Sequence, residues 1–475
     1  MSAADLISMR ATDVARLLRR GDVTPLHLLD LIEARCAQVE PAVNALPTRD
    51  FGMAREAAKK LMEKPLDQRG RLAGLPVPIK DLTNVAGMRS TMGSRIFENA
   101  VPAASDLLVT HLEAEGGVIY AKSNTPEFGA GANTFNDVFG FTRNPYDTRL
   151  SAAGSSGGAA AALATGTAWV AHGSDMGGSL RNPASFCGIV GMRPSSGRVA
   201  HTMTTKVDGT LGQQGPMART VEDCALLFDA MCGDEAGDPL SKPRPATSFL
   251  DQARSGWKPR RVAYSPDLGI TPVDARVVEI TRAAARRLEE AGCIVEEATP
   301  DLREAHACFQ TLRALAFATG LGGLLRAHRD KLKPEVIWNI EKGLALSADD
   351  IVKAEHQRVA MLNRALAFFE TYDLLLCPTT IVPPFPVEER YVKECAGHVF
   401  DNYVEWLAIV YAITLIQSPS VSIPAGFTAE GLPVGVQVVA APNADGRALA
   451  GARLLEEILA LPTDKPILPR VRHVA

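Results

Sequence analysis

Two glycine–serine segments carry the residue types that could do covalent chemistry. The first is Ala153-Gly154-Ser155-Ser156-Gly157-Gly158; the second is Gly173-Ser174-Asp175-Met176-Gly177-Gly178-Ser179-Leu180-Arg181-Asn182-Pro183. Paired glycines ahead of a serine let the backbone turn sharply, so that successive N–H groups converge on one point. Such a cluster suits the oxyanion of a tetrahedral intermediate, where losing one donor typically costs about 10²–10³ in rate. A serine hydroxyl is a weak nucleophile and needs a base. Of the nine histidines only His172 is close, and it precedes the second segment, as an interior histidine with satisfied hydrogen bonds would. Lysine can act as the base when burial or a nearby cation keeps it neutral. Lys80 follows Leu75-Pro76-Val77-Pro78-Ile79, an apolar, proline-stiffened run that would bury its amine, while Asp81 would oppose the shift if it lies close. On residue chemistry alone Lys80 is one candidate base.

Plainer readings of the same residues exist. Either loop could be a flexible connection, and Ser179 could cap a helix N-terminus. Arg181 and Asp175 could be an ordinary ion pair, and Cys187 a small buried hydrophobe. Gly154-x-Ser156-x-Gly158 formally matches the nucleophile elbow of α/β-hydrolases, which would make Ser156 the nucleophile of an esterase but leave the second segment unexplained. Ser255-x-x-Lys258 matches a penicillin-binding pattern, yet no Lys-Thr-Gly follows it. No Walker sequence accompanies either glycine loop, so phosphate binding has no support.

The stretch Gly154 to Pro183 resembles the amidase signature family in residue types and spacing. The resemblance extends to Leu75–Asp81 and Pro424–Gln437, so it spans most of the chain. Ser155 and Ser179 lie 24 residues apart, and Lys80 lies 75 before Ser155, as the family pattern expects. The resemblance implies an amide hydrolase with a Ser–cisSer–Lys triad. Ser179 would attack the carbonyl carbon, Ser155, held by a cis peptide bond, would pass on its proton, and neutral Lys80 would receive it. The backbone N–H groups of Met176, Gly177, Gly178 and Ser179 would form the oxyanion hole, with Ser156, Asp175 and Arg181 supporting it. The implied substrates are small or medium aryl and alkyl amides, with esters, anilides or carbamates open to the same acyl transfer. No metal or organic cofactor is implied. Some family members are ammonia-releasing, glutaminase-type subunits of a transamidation complex, but nothing in this sequence marks a partner-binding tail. The chain departs from the pattern at Ala153, where the family more often has glycine, and at Thr414 and Gln417, where it often shows Asn and Gly.

These residues need a frame to bring them together. The sequence reads as α/β, a single large body around a mixed β-sheet flanked by helices. Residues 1–70 form an N-terminal helical segment, with Thr24 placed to cap the helix that starts at Pro25. Residues 71–232 carry the catalytic core, where short apolar runs alternate with Gly, Pro and Asn. Residues 233–260, rich in Pro, Asp, Gly and Ser, read as a surface connection. Residues 261–475 complete the sheet and wall the substrate pocket, through the helical block Leu302–Tyr372 and the loop after Pro378. Phe128, Phe135, Phe139, Trp406 and Tyr411 are its expected lining.

Bulk composition excludes several classes. The 475 residues are 46% hydrophobic and 22% charged, with net charge −4. That is enough for a large core and gives no electrostatic footprint for nucleic acid or an anionic membrane. The eight scattered cysteines form no C-x-x-C pair and no zinc-finger spacing, which fits a reduced, cytoplasmic setting. No signal-peptide h-region is present, and the nearest approach to a membrane span, Ala159–Ala171, is short and built from small residues. A soluble monomer or homodimer acting on a small-molecule amide is the resulting expectation.

Overall fold

The computed structural model describes residues 2–202 and 209–472. In chain order, the strands of its two principal sheets are β1 (Thr48–Arg49), β2 (Pro76–Lys80), β3 (Val118–Ser123), β4 (Val170–Asp175), β5 (Val190–Arg193) and β6 (Gln213–Ala218). There follow β7 (Arg261–Tyr264), β8 (Ile294–Glu297), β9 (Leu374–Pro378), β10 (Ser420–Phe427) and β11 (Pro433–Val439). A small sheet has the order β1-β3-β2, antiparallel at its first pairing and parallel at its second. The other eight strands form one mixed sheet ordered β8-β7-β9-β11-β10-β5-β6-β4. The pairings of β8, β7 and β9 are parallel, and every later pairing is antiparallel.

Runs such as Leu374-Leu375-Leu376 and Val436-Gln437-Val438-Val439 are buried at every position. Helices cover both faces there, so the polar alternation of a half-exposed strand is absent. The helix Gly157–Thr165, built from Gly, Ala, Leu and Thr, is buried along its whole length, because only small residues let it sit that close to its neighbours. In the N-terminal segment the Thr24 hydroxyl accepts from His27 N at 3.2 Å and starts the helix Pro25–Val43.

Two features differ from expectation. The connection after residue 233 carries a short helix, Phe249–Ala253. Its Phe249 is buried and stacks on Phe228 with centroids 4.3 Å apart, an apolar anchor inside an otherwise polar stretch. The segment Ala305–Lys331 is helical and, by length and composition, apolar enough to cross a membrane. In the fold its Cys308, Phe309, Leu312 and Phe317 are buried against the protein, and it packs on the helices Pro334–Leu344 and Ala348–Thr371. All eight cysteines are unpaired and buried.

Candidate active site

Four element ends meet at one place. β2 ends on Lys80, β4 ends on Asp175, the helix Gly157–Thr165 begins just after Ser156, and the helix Arg181–Cys187 begins just after Leu180. Lys80 is fully buried. Its Nζ lies 2.7 Å from Ser155 Oγ, 2.9 Å from Ser156 Oγ and 3.1 Å from Ser174 Oγ. Its backbone N–H donates to His172 Nδ1 at 3.2 Å, which joins the small sheet to β4. Burial lowers the Lys80 amine to about 7, working against the charge of Asp175, which raises it. Asp81 is not the opposing acid. Its carboxylate accepts from Thr91 N and Thr91 Oγ1 and lies 3.4 Å from Lys122 Nζ. His172 is an interior histidine, pushed down to about 3 by burial and bonded through Nε2 to Gln214.

The peptide bond between Gly154 and Ser155 is cis. Thr134 holds the loop from one side: its hydroxyl donates to Ala153 O at 2.8 Å and accepts from Gly157 N at 3.1 Å. Ser156 N donates to Ser179 O at 3.1 Å, so the two glycine–serine loops are tied directly.

Asp175 organises the second loop. Its Oδ1 accepts from Gly178 N at 3.0 Å and Arg181 Nη2 at 2.9 Å, and its Oδ2 from Leu180 N at 3.1 Å and Arg181 Nε at 3.0 Å. Arg193 Nη1 donates to Asp175 O at 2.5 Å. Burial by itself would raise the Asp175 carboxyl, but the charges of Arg181 and Arg193 hold it well below the usual carboxylate range. Arg181 also donates to Gln437 Oε1, Val410 O and Thr414 Oγ1. Thr414, one of the positions where the sequence departs from the family pattern, is thus a guanidinium acceptor.

Gly178 has φ +97°, and a Cβ there would stand 2.4 Å from Val410 Cγ2. Its N–H is taken by Asp175, which corrects its expected place among the oxyanion donors. Ser179 is not a helix cap: Leu180 holds the N-cap position of Arg181–Cys187, and no side chain bonds there. Ser155 and Ser179 both line a cavity of about 240 Å³ with Leu82, Phe128, Met176 and Phe317. Ser156 is fully buried, with its hydroxyl against Lys80 and Ser174, and does not line that cavity. A larger hollow of about 480 Å³, beside Met53 and Ile119, contains none of these groups.

Of the five aromatics expected in the lining, only Phe128 is there. Phe135 packs on Phe141, the Arg89 guanidinium covers Phe139, Trp406 meets Phe385 edge-on, and Tyr411 stacks on Phe309 at 4.2 Å. Trp406 and Tyr411 lie in a stretch apolar on every side and are therefore core. The helical block supplies Phe317 and Arg313 instead, and among the described residues the loop after Pro378 supplies none. Sequence reasoning missed Arg193, Arg313 and the contact of Ser174 with Lys80. The last was within reach, because His172 and Ser174 alternate along β4 and so point to one face.

The chain resembles proteins of one known family along nearly its whole length. The amidase family model matches residues 28–449. The chain is 32% identical to an acylamidase of Rhodococcus erythropolis over 474 residues, 98% of each chain. It is 33% identical to a glutamyl-tRNA(Gln) amidotransferase subunit from Thermus thermophilus, covering 95% of this chain and 98% of that one. The crystal structure of a bacterial aryl acylamidase of the amidase signature family superposes with TM-score 0.89 at 26% identity, covering 97% of this chain and 99% of the other. With the family match running through both glycine–serine loops and across the shared sheet, the chain belongs to the amidase signature family.

Proposed function

We propose that this protein hydrolyses carboxylic amides through an acyl-enzyme on Ser179. One observation carries the reading: a buried lysine amine, lowered to about 7, lies 2.7 Å from Ser155 Oγ, and Ser155 shares a cavity wall with Ser179. Neutral Lys80 takes the Ser155 proton as Ser155 takes that of Ser179, and Ser179 Oγ attacks the carbonyl carbon. Negative charge develops on the carbonyl oxygen, where the N–H groups of Met176, Gly177 and Ser179 receive it. Gly178 serves this hole indirectly, since its bond to Asp175 fixes the turn that presents its neighbours. As the C–N bond breaks, the proton returns through Ser155 to the leaving amine. Water then hydrolyses the acyl-enzyme by the same relay in reverse.

The substrates are small or medium aryl or alkyl amides; esters, anilides and carbamates expose the same carbonyl to the same nucleophile. Likeness to a transamidation component leaves ammonia release within a larger complex as a second reading. Turnover of simple amides by the isolated chain separates the two. The primary test is a fluorophosphonate probe followed by peptide mapping. An adduct on Ser179 is expected, together with a loss of at least about three orders of magnitude in turnover for Ser179→Ala. An adduct on Ser156, or normal turnover by Ser179→Ala, overturns the proposal.

A further inference from the structure

Arg313 sits in the wall of the Ser155–Ser179 cavity, on the helix Ala305–His328, and is 7% exposed. Its Nη2 donates to Tyr403 Oη at 3.1 Å, and its Nη1 lies 3.5 Å from Met176 Sδ, a weak acceptor. The guanidinium also lies over the rings of Phe317, at 4.6 Å, and Tyr403, at 5.9 Å. Its Nε is buried without a hydrogen-bond partner, and among the described residues no carboxylate pairs with it. Arg193 Nε is likewise buried without a partner, but each of the other deeply buried arginines has an anion or several carbonyls at its guanidinium. Arg181 and Arg193 share Asp175, and Arg219 donates to the carbonyls of Ala168, Ile7, Met9 and Asp464.

A guanidinium stays charged under all ordinary conditions, so burying one without an anion is costly unless an anion arrives. Its planar fork matches a carboxylate bidentately. We infer that Arg313 is a specificity-determining residue that receives a carboxylate of the substrate, so that the preferred substrates are amides bearing an acidic group away from the scissile bond. This rests on the amidase reading above and adds the substrate class to it.

The test compares isosteric pairs in which only the charge differs. Adipamate is set against the neutral amide in which an isopropyl group replaces its carboxylate. N-hexanoylglycine is set against N-isobutylhexanamide. Wild-type protein is expected to favour at least one acidic member in kcat/KM. Arg313→Met should reduce that preference by about 10- to 100-fold, the usual effect of removing a charged hydrogen-bond partner. Arg313→Lys should keep part of the preference, and Arg313→Glu should reverse it. Binding of adipamate and N-hexanoylglycine to the Ser179→Ala protein, measured by calorimetry, makes a second readout that needs no turnover. Arg313-dependent binding without turnover in the wild type supports the carboxylate site and overturns the amidase reading. Turnover without preference, with every substrate slowed alike in Arg313→Met, leaves the amidase reading standing and overturns this one. No binding and no turnover of either acidic member also overturns it.

Discussion

In the proposed relay the chemistry turns on one amine. An exposed lysine titrates near 10.5, and burial brings Lys80 down to about 7. The base must be neutral, so kcat/KM is expected to rise about tenfold per pH unit below 7 and to level off above it. A profile measured with a neutral amide and lacking an acid limb near pH 7 would remove Lys80 from the relay. The same shift sets a stability term. The unfolded chain binds the Lys80 proton up to about pH 10.5 and the native one only up to about 7, so stability from this group rises with pH across that window. Below pH 7 the native state carries the full cost of a buried ammonium. Lys80→Met is therefore expected to be inactive yet more stable at pH 6, on the order of 1 kcal/mol by urea denaturation. Lys80, Ser155 and Ser179 stand out in the sequence through the family pattern whose spacing they match. Arg193 and Arg313 do not. Each is a single arginine on an ordinary strand or helix, and only tertiary placement makes it part of the site.

Elements were read more accurately than their neighbours in space. The helix that starts at Pro25 under its Thr24 cap and the helices within the block Leu302–Tyr372 fall where the sequence puts them. β10 and β11 are neighbours in the chain and pair as a hairpin, but its insertion between β9 and β5 was not readable, since β10 pairs with a β5 that comes from the other half of the chain. Local backbone needs lie between these cases. Ala153 and Gln417, where the family pattern more often has or includes glycine, have φ +55° and +56°, in the left-handed region that disfavours a Cβ. Ala153→Gly removes a cost of roughly 1–2 kcal/mol. It also adds unfolded-state entropy of about 0.4–1 kcal/mol, so a net gain of up to about 1.6 kcal/mol in unfolding free energy is expected, read from the urea midpoint. Gly178→Ala goes the other way. Its new Cβ meets Val410 Cγ2 at 2.4 Å and Asn182 Nδ2 at 2.7 Å, with φ +97°. Destabilisation of about 1–3 kcal/mol is expected, together with loss of fluorophosphonate labelling as the Ser179 loop shifts. Labelling at the wild-type rate would show that this loop tolerates displacement and that its N–H array is not the oxyanion site.

At the scale of the whole molecule, the two halves of the chain are joined through the site. β4, β5 and β6 come from the first half and β7 to β11 from the second, yet they form one sheet. Arg181 binds across this division. It holds Asp175 at the end of β4 by two parallel bonds, Gln437 on β11 at 2.7 Å, and Val410 O on the helix Ala408–Leu415 at 2.9 Å. Both members of the ion pair are fully buried, so their attraction is hardly screened and removing one leaves the other uncompensated. Breaking such a pair typically costs about 3–5 kcal/mol. Here Arg193 remains beside Asp175 at 3.4 Å, and Gln437 Oε1 still accepts from Ser420 Oγ, so Arg181→Met is expected to lose about 2–4 kcal/mol. Arg181→Lys keeps the charge but not the fork, and should fall between Met and wild type. Arg303→Ala, which breaks an exposed pair with Asp301, is the control and should leave the urea midpoint unchanged. If Arg181 serves only stability, its variants will lose midpoint while the folded fraction hydrolyses amides at the wild-type rate. If it also positions the Gly178 and Leu180 N–H groups through Asp175, kcat will fall under conditions where the protein is fully folded. The geometry favours the second outcome, because the carboxylate that Arg181 grips is the one that sets the turn before Ser179.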